Sequence, residues 1–172
     1  IEFKRLTGDA ITPVIWQRFQ AFYQLTNLKY NRHHGYLTPD FFERIYHTMR
    51  DSLLLVVAFD GDEAIAGALY FLGKNTLYGR YWGCIREIEF LHFETCYYQG
   101  IEYCIEQGIQ RFDSGAQGEH KVPRGFRPTL TYSAHWLAHS GFRDAVKRFL
   151  VEESAGIRHY RDEMTKALPF RH

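Results

Sequence analysis

The sequence predicts an α+β fold, a mixed and mostly antiparallel sheet flanked by helices. Three observations carry that expectation. An apolar run, Leu53 to Phe59, meets Asp60-Gly61 and then a second apolar stretch, Ala64 to Leu72, which is a hairpin pattern. Two Thr-Pro pairs, Thr12-Pro13 and Thr38-Pro39, each precede apolar residues at helical spacing. A helical stripe closed by Gly108 runs straight into the short segment Ile109 to Asp113. That order makes a crossover connection, so the segment is expected to pair parallel to the preceding strand.

Taken in order, Ile1 to Arg5 reads as a short strand. Thr12 can cap a helix with Pro13 at its first position, where the missing N–H costs nothing. Ile15, Trp16, Phe19, Phe22, Tyr23 and Thr26 give it one buried face, and it is expected to fade near Tyr30. Thr38-Pro39 repeats the signal for a second helix carrying Phe41, Phe42, Ile45, Tyr46 and Met49. The unbroken apolar run from Leu53 suits a strand covered on both faces. Gly73-Lys74-Asn75 turns the chain into a third meander strand, Leu77 to Trp82. Phe93, Tyr97, Ile101, Cys104 and Ile105 define a third helix, with Gly108 placed to end it. Thr129 to Leu137 is expected to be a further strand, and Ser140 to cap a long last helix. No internal repeat and no domain boundary is evident, so one domain over residues 1–172 is expected.

A formal net charge of +1 supplies no global field for nucleic acid or a membrane surface, so anion binding must be local. No apolar run approaches the roughly 20 residues that span a bilayer. Aromatics form 17% of the chain, enough for a densely packed core and an aromatic-lined cleft. The three cysteines, Cys84, Cys96 and Cys104, show no metal spacing. Cys96 and Cys104 would lie about 12 Å apart along one helix, too far to bridge. Reduced thiols and a cytoplasmic location are expected.

Two segments concentrate chemistry. The polar, Gly-rich stretch after Asp113 is too long for a plain connector and holds Asp113, Gln117, Glu119, His120, Lys121, Arg124 and Arg127. Its glycines admit close backbone approach, and His120, Lys121 and Arg124 suit a phosphate or carboxylate. Glu87, Glu89 and His92 precede the third helix. Alternation with Ile88 and Phe90 would put both carboxylates on one face of an extended segment. A raised pKa on one of them would supply a general base for an attacking amine; acids placed at a helix N-terminus by its dipole are the bland alternative. Tyr78, Tyr81 and Trp82 read first as sheet packing, with Tyr81 kept as a substrate-facing candidate. His33 and His34 read as an exposed loop, His135 as a structural histidine, and no metal site is expected.

The wording of several segments resembles a known family. Glu89-Phe90-Leu91-His92-Phe93-Glu94-Thr95-Cys96-Tyr97-Tyr98-Gln99-Gly100-Ile101-Glu102-Tyr103-Cys104-Ile105-Glu106 is one, and Phe112-Asp113-Ser114-Gly115-Ala116-Gln117-Gly118-Glu119-His120-Lys121 is another. Arg124-Gly125-Phe126 and Ser133-Ala134-His135-Trp136 follow. Together they resemble the bacterial "peptidoglycan biosynthesis/recognition" family, a Fem-like branch of the GNAT acyltransferase superfamily.

The resemblance implies a GNAT-like fold in which the third meander strand and the strand after the next helix splay apart around an acyl donor. It implies acyl or aminoacyl transfer to an amine, with acyl-CoA or aminoacyl-tRNA as donor and a small molecule or peptide, such as a peptidoglycan precursor, as acceptor. It also implies that this chain is the C-terminal lobe of a longer tandem-lobe protein. One departure stands out: the Gly-rich pyrophosphate turn of ordinary GNAT N-acetyltransferases is missing between Trp82 and Tyr97, so tight acetyl-CoA binding is not expected. A non-catalytic recognition module and a purely structural lobe are the competing expectations. The functional centre is expected where the Glu87 to His92 segment meets the loop from Asp113 to Arg127.

Overall fold

The computed structural model describes residues 1–170 except Gln117, and only the main chain at Asn31. It divides into two compact units, residues 1–115 and 116–172.

The first unit carries a five-stranded sheet in the order β1-β2-β3-β4-β5. The strands are β1 (Glu2–Thr7), β2 (Leu53–Asp60), β3 (Glu63–Leu72), β4 (Thr76–Cys84) and β5 (Arg111–Asp113). β1 through β4 pair antiparallel, and β5 joins β4 in parallel. The meander and the parallel fifth strand stand as the turn chemistry and the crossover predicted. Gly61 turns β2 into β3 with a positive φ of 59°, a conformation that favours glycine.

Helices cover both faces. On one face lie α1 (Pro13–Asn31) and α2 (Pro39–Met49). Thr12 and Thr38 cap them, accepting from the Ile15 and Phe41 N–H groups. Trp16, Phe19, Phe22 and Tyr23 of α1 and Phe42, Ile45 and Tyr46 of α2 pack with Leu53, Leu55, Val57 and Leu69 of the sheet. The buried polar handles are satisfied: Trp16 Nε1 donates to the Phe42 carbonyl at 3.3 Å, and the Tyr46 hydroxyl donates to the Ile11 carbonyl at 3.0 Å. Leu54 and Val56 point the other way, into a core with Ala68, Tyr70, Leu77 and Cys104. A strand with both faces buried must be apolar throughout, which explains the unbroken run in β2.

The crossover helix is not a uniform α-helix. It runs as α3 (Leu91–Phe93), a π turn (Glu94–Tyr98) and α4 (Gln99–Gln107), ending on Gly108. At the π turn the buried Tyr70 hydroxyl donates to the Thr95 carbonyl, and the Thr95 hydroxyl donates to the Leu91 carbonyl at 2.7 Å. These side-chain bonds engage main-chain carbonyls within the helical ladder, and this accounts for the local widening.

The second unit contains a 3-10 helix (Glu119–Arg124) and α5 (Ser140–Lys166). Here two expectations are corrected. Residues 129–137 form no strand and are largely exposed, with Tyr132 at 88% and Trp136 at 82%. Their β propensity has no neighbouring ladder to satisfy within this unit, and propensity alone does not make a strand. The cap of the last helix is His139, whose Nδ1 accepts from the Phe142 N–H at 3.1 Å, rather than Ser140. No helix among the described residues is long and apolar enough to cross a membrane.

Candidate functional site

The β4–β5 pairing is short. Thr76 faces Arg111, Leu77 faces Phe112 and Tyr78 faces Asp113, where β5 ends. β4 continues from Gly79 to Cys84 beyond the last paired residue. Its pairing with β3 is also irregular there: Leu69 faces Tyr81 while Tyr70 faces Gly79, so Arg80 is an extra residue on β4. A bulge of this kind disrupts the ladder locally and re-aims main-chain groups. A β-carbon at Gly79 would stand 3.5 Å from the Phe112 ring, 3.6 Å from the Asp113 carbonyl oxygen and 3.7 Å from the Ser114 Cα. Two main chains thus lie close at the point where the strands separate.

A cleft of about 420 Å³ lies at the far end of β4. Thr26 and Tyr30 of α1 form one wall, Trp82 and Cys84 of β4 the floor, and Arg86, Glu87, Ile88, Leu91 and His92 the rest. The Thr26 hydroxyl accepts from the Cys84 N–H at 3.2 Å and ties α1 to the strand end. His92 sits among aromatic rings, with centroids 5.2 Å from Trp82, 5.4 Å from Phe93 and 5.5 Å from Tyr97. Imidazole is the side chain suited to exchange a proton near neutral pH.

The two carboxylates differ from the expectation. Phe90 adopts a left-handed φ of 65°, and the Leu91 N–H closes a turn on the Ile88 carbonyl at 3.1 Å. The segment is therefore turned rather than extended, and Glu87 and Glu89 do not share a face through strand alternation. Glu89 is exposed and is not among the residues that line the cleft. Glu87 lines it, but Lys29 and Tyr30 hold its carboxylate: the Lys29 ammonium donates to Oε1, and the Tyr30 hydroxyl donates to the same oxygen at 2.8 Å. These bonds push the Glu87 pKa below its ordinary value, first through Lys29 and then Tyr30. The expected upward shift does not occur there. Burial instead raises the Cys84 thiol, which disfavours the thiolate.

Tyr81 packs edge-on against Tyr23, with centroids 5.5 Å apart, and joins the core beneath α1 and α2. Asp113 closes β5 by accepting from the Gly115 N–H at 2.8 Å. In the second unit, Glu119, His120, Lys121 and Arg124 share the 3-10 helix. Lys121 donates to the Ala116 carbonyl at 3.3 Å, Arg124 to the His120 carbonyl at 2.5 Å, and Tyr160 to the Glu119 carboxylate at 2.7 Å. Desolvation first, then the charges of Lys121 and Arg124, lower the His120 pKa. Gln117 lies outside the described residues. His33 accepts from the Gly35 N–H at 2.9 Å, and no group of three or more His, Cys, Asp or Glu among the described residues could hold a metal.

Lys29 and Tyr30 are the neighbours that sequence reading missed. They lie 58 and 57 residues from Glu87, on the last turns of α1, and nothing local in the sequence ties them to it.

Comparison with solved structures places the fold. A crystal structure of a probable acetyltransferase superposes with a TM-score of 0.53 at 9% identity, covering 81% of this chain and 99% of that one. A possible acetyltransferase from Clostridium difficile 630 gives 0.55 at 10% identity, covering 80% and 98%. At such identities the likeness is one of fold, the GNAT-like fold. No curated protein matches the sequence. The FemAB-like family model, described as peptidoglycan biosynthesis/recognition, matches residues 1–172. The chain therefore belongs to the FemAB-like peptidoglycan biosynthesis/recognition family, on a GNAT-like fold.

Proposed function

We propose that the domain transfers an acyl or aminoacyl group to an amine, with a peptidoglycan precursor as acceptor. The observation that carries the reading is the parting of β4 from β5 after Tyr78 and Asp113, beside the bulge at Arg80. Main-chain N–H groups released from a ladder can stabilise the oxygen of an activated carbonyl as negative charge develops on it. The donor, a thioester of acyl-CoA or an ester of aminoacyl-tRNA, is assigned to that opening.

The acceptor is assigned to the cleft at the end of β4. Its amine attacks the donor carbonyl, forming the C–N bond. The C–S or C–O bond breaks, and the electron pair leaves with the thiol or hydroxyl group. His92 takes the proton the nitrogen loses and can return one to the leaving group. Of the three expected catalytic residues, His92 suits the role best, because it lines the cleft. Glu87 is engaged by Lys29 and Tyr30, and Glu89 is exposed. In the first unit Asp113 is assigned to substrate; in the second unit, taken by itself, Gln117, Glu119, His120, Lys121 and Arg124 are assigned to substrate binding, the basic three to an anionic group. Tyr81 is withdrawn to a packing role on its contact with Tyr23.

The test is transfer by wild type beside Gly79→Leu. An alanine at Gly79 would meet only ordinary contacts, whereas the longer leucine side chain would press on the Phe112 ring and the Asp113–Ser114 main chain where the pairing ends. Transfer by wild type and Gly79→Ala, and its loss in a Gly79→Leu protein that is still folded by circular dichroism, are expected. Equal transfer by wild type and Gly79→Leu would refute the placement of the donor.

A further inference from the structure

We propose that the Glu87 carboxylate and the Tyr30 ring form an ammonium-binding subsite at the cleft, and that Lys29 occupies it in the free protein as a tethered stand-in for the acceptor amine. The proposal rests on the reading that the acceptor is an amine, and it adds which amines fit and what they must displace.

The subsite has the two components that recognise a primary ammonium. A carboxylate oxygen supplies charge-assisted acceptance, and an aromatic face supplies attraction to a cation. Glu87 Oε1 accepts from the Lys29 ammonium and also from the Tyr30 hydroxyl at 2.8 Å. Lys29 Nζ lies 5.5 Å from the centroid of the Tyr30 ring, inside the range over which a cation is drawn to a π face. Tyr30 and Glu87 are also cleft residues, and Trp82, Ile88 and Leu91 line the same space with apolar surface for an alkyl stem.

The occupant is exchangeable. The side chains of Lys29 and Glu87 are 53% and 63% exposed, and ion pairs this open contribute little. An incoming ammonium that brings its own apolar stem can therefore replace Lys29 without breaking a strong bond. Lys29 then becomes a competitor present at fixed local concentration, which weakens every acceptor by the same factor. The nearby Glu87 charge repels a ligand carboxylate. The subsite accordingly favours an ammonium on an alkyl chain remote from any carboxylate over the α-amino group of a free amino acid.

The test is equilibrium binding of N-acetyl-lysine methylamide to the full chain, followed by NMR at low ionic strength. Lys29→Gln should bind the probe more tightly than wild type, by about two- to sixfold, as expected for removing a competitor held by an exposed ion pair. Lys29→Arg should restore the wild-type affinity, and Glu87→Gln should bind the probe more weakly than wild type. The norleucine analogue, which lacks the ammonium, should bind all four proteins alike. Unchanged or weaker binding by Lys29→Gln overturns the proposal, as does wild-type affinity in Glu87→Gln. Because the readout is binding, it is independent of turnover. Tighter binding by Lys29→Gln in a protein that transfers nothing would leave the subsite standing and remove the transferase reading.

Discussion

Gly83 of β4 lies directly beneath the main chain of Phe22 on α1: a β-carbon at Gly83 would stand 2.2 Å from both the carbonyl carbon and the carbonyl oxygen of Phe22. Gly67 pairs with Gly83 across the strands, and its own β-carbon would stand 3.1 Å from the Phe19 ring. This pair of glycines lets α1 settle on the sheet and so sets where Thr26, Lys29 and Tyr30 reach the end of β4.

Gly83→Ala is predicted to be strongly destabilising. The clash is with main chain, which cannot rotate away, so the loss should reach about 3 kcal/mol, the upper end for overpacking. Urea denaturation measures it. Gly156→Ala on α5, where a β-carbon meets nothing within 4 Å, should instead stabilise the helix by up to about 1 kcal/mol.

How far the sequence reveals this arrangement depends on how local the cause is. The meander is legible because Asp60-Gly61 and Gly73-Lys74-Asn75 set their turns from within a few residues. The two Thr-Pro starts are legible for the same reason. The π turn is not, because the Tyr70 hydroxyl that engages the Thr95 carbonyl comes from another strand. Residues 129–137 mislead because β-branched and aromatic residues favour a strand only where a neighbour offers a ladder. In the site, His92 is legible as a candidate, whereas the state of Glu87 is set by two residues of a distant helix.

The Glu87 carboxyl should titrate below its ordinary value, and Lys29→Gln should move it upward, because Lys29 is the largest cause of the shift. The folded-state value is the depressed one. The pairing therefore contributes fully above the unfolded-state value and is lost as pH falls through the folded-state value. Carboxyl-carbon NMR over an acid titration reads both effects. A Glu87 that titrates identically in wild type and Lys29→Gln would contradict the pairing.

Acetyl-CoA should bind weakly or not at all. Residues 85–90, between β4 and α3, contain no glycine; they carry Glu87 and Glu89 where a pyrophosphate would need N–H donors and positive charge, and their one cation, Arg86, is paired with Asp60. Calorimetric titration checks this. A low-micromolar affinity would show that another part of the chain holds the pyrophosphate.

Proton removal by His92 during amide formation is the central step of the proposed reaction. The decisive measurement is single-turnover amide formation with an amine acceptor, offered acyl-CoA and aminoacyl-tRNA donors in turn and followed by mass spectrometry for wild type and His92→Gln. Wild type is expected to give amide product with at least one donor, and His92→Gln a rate at least about 100-fold lower at an unchanged thermal midpoint. No product from folded wild type with either donor, or equal rates for the two proteins, would contradict the proposed reaction.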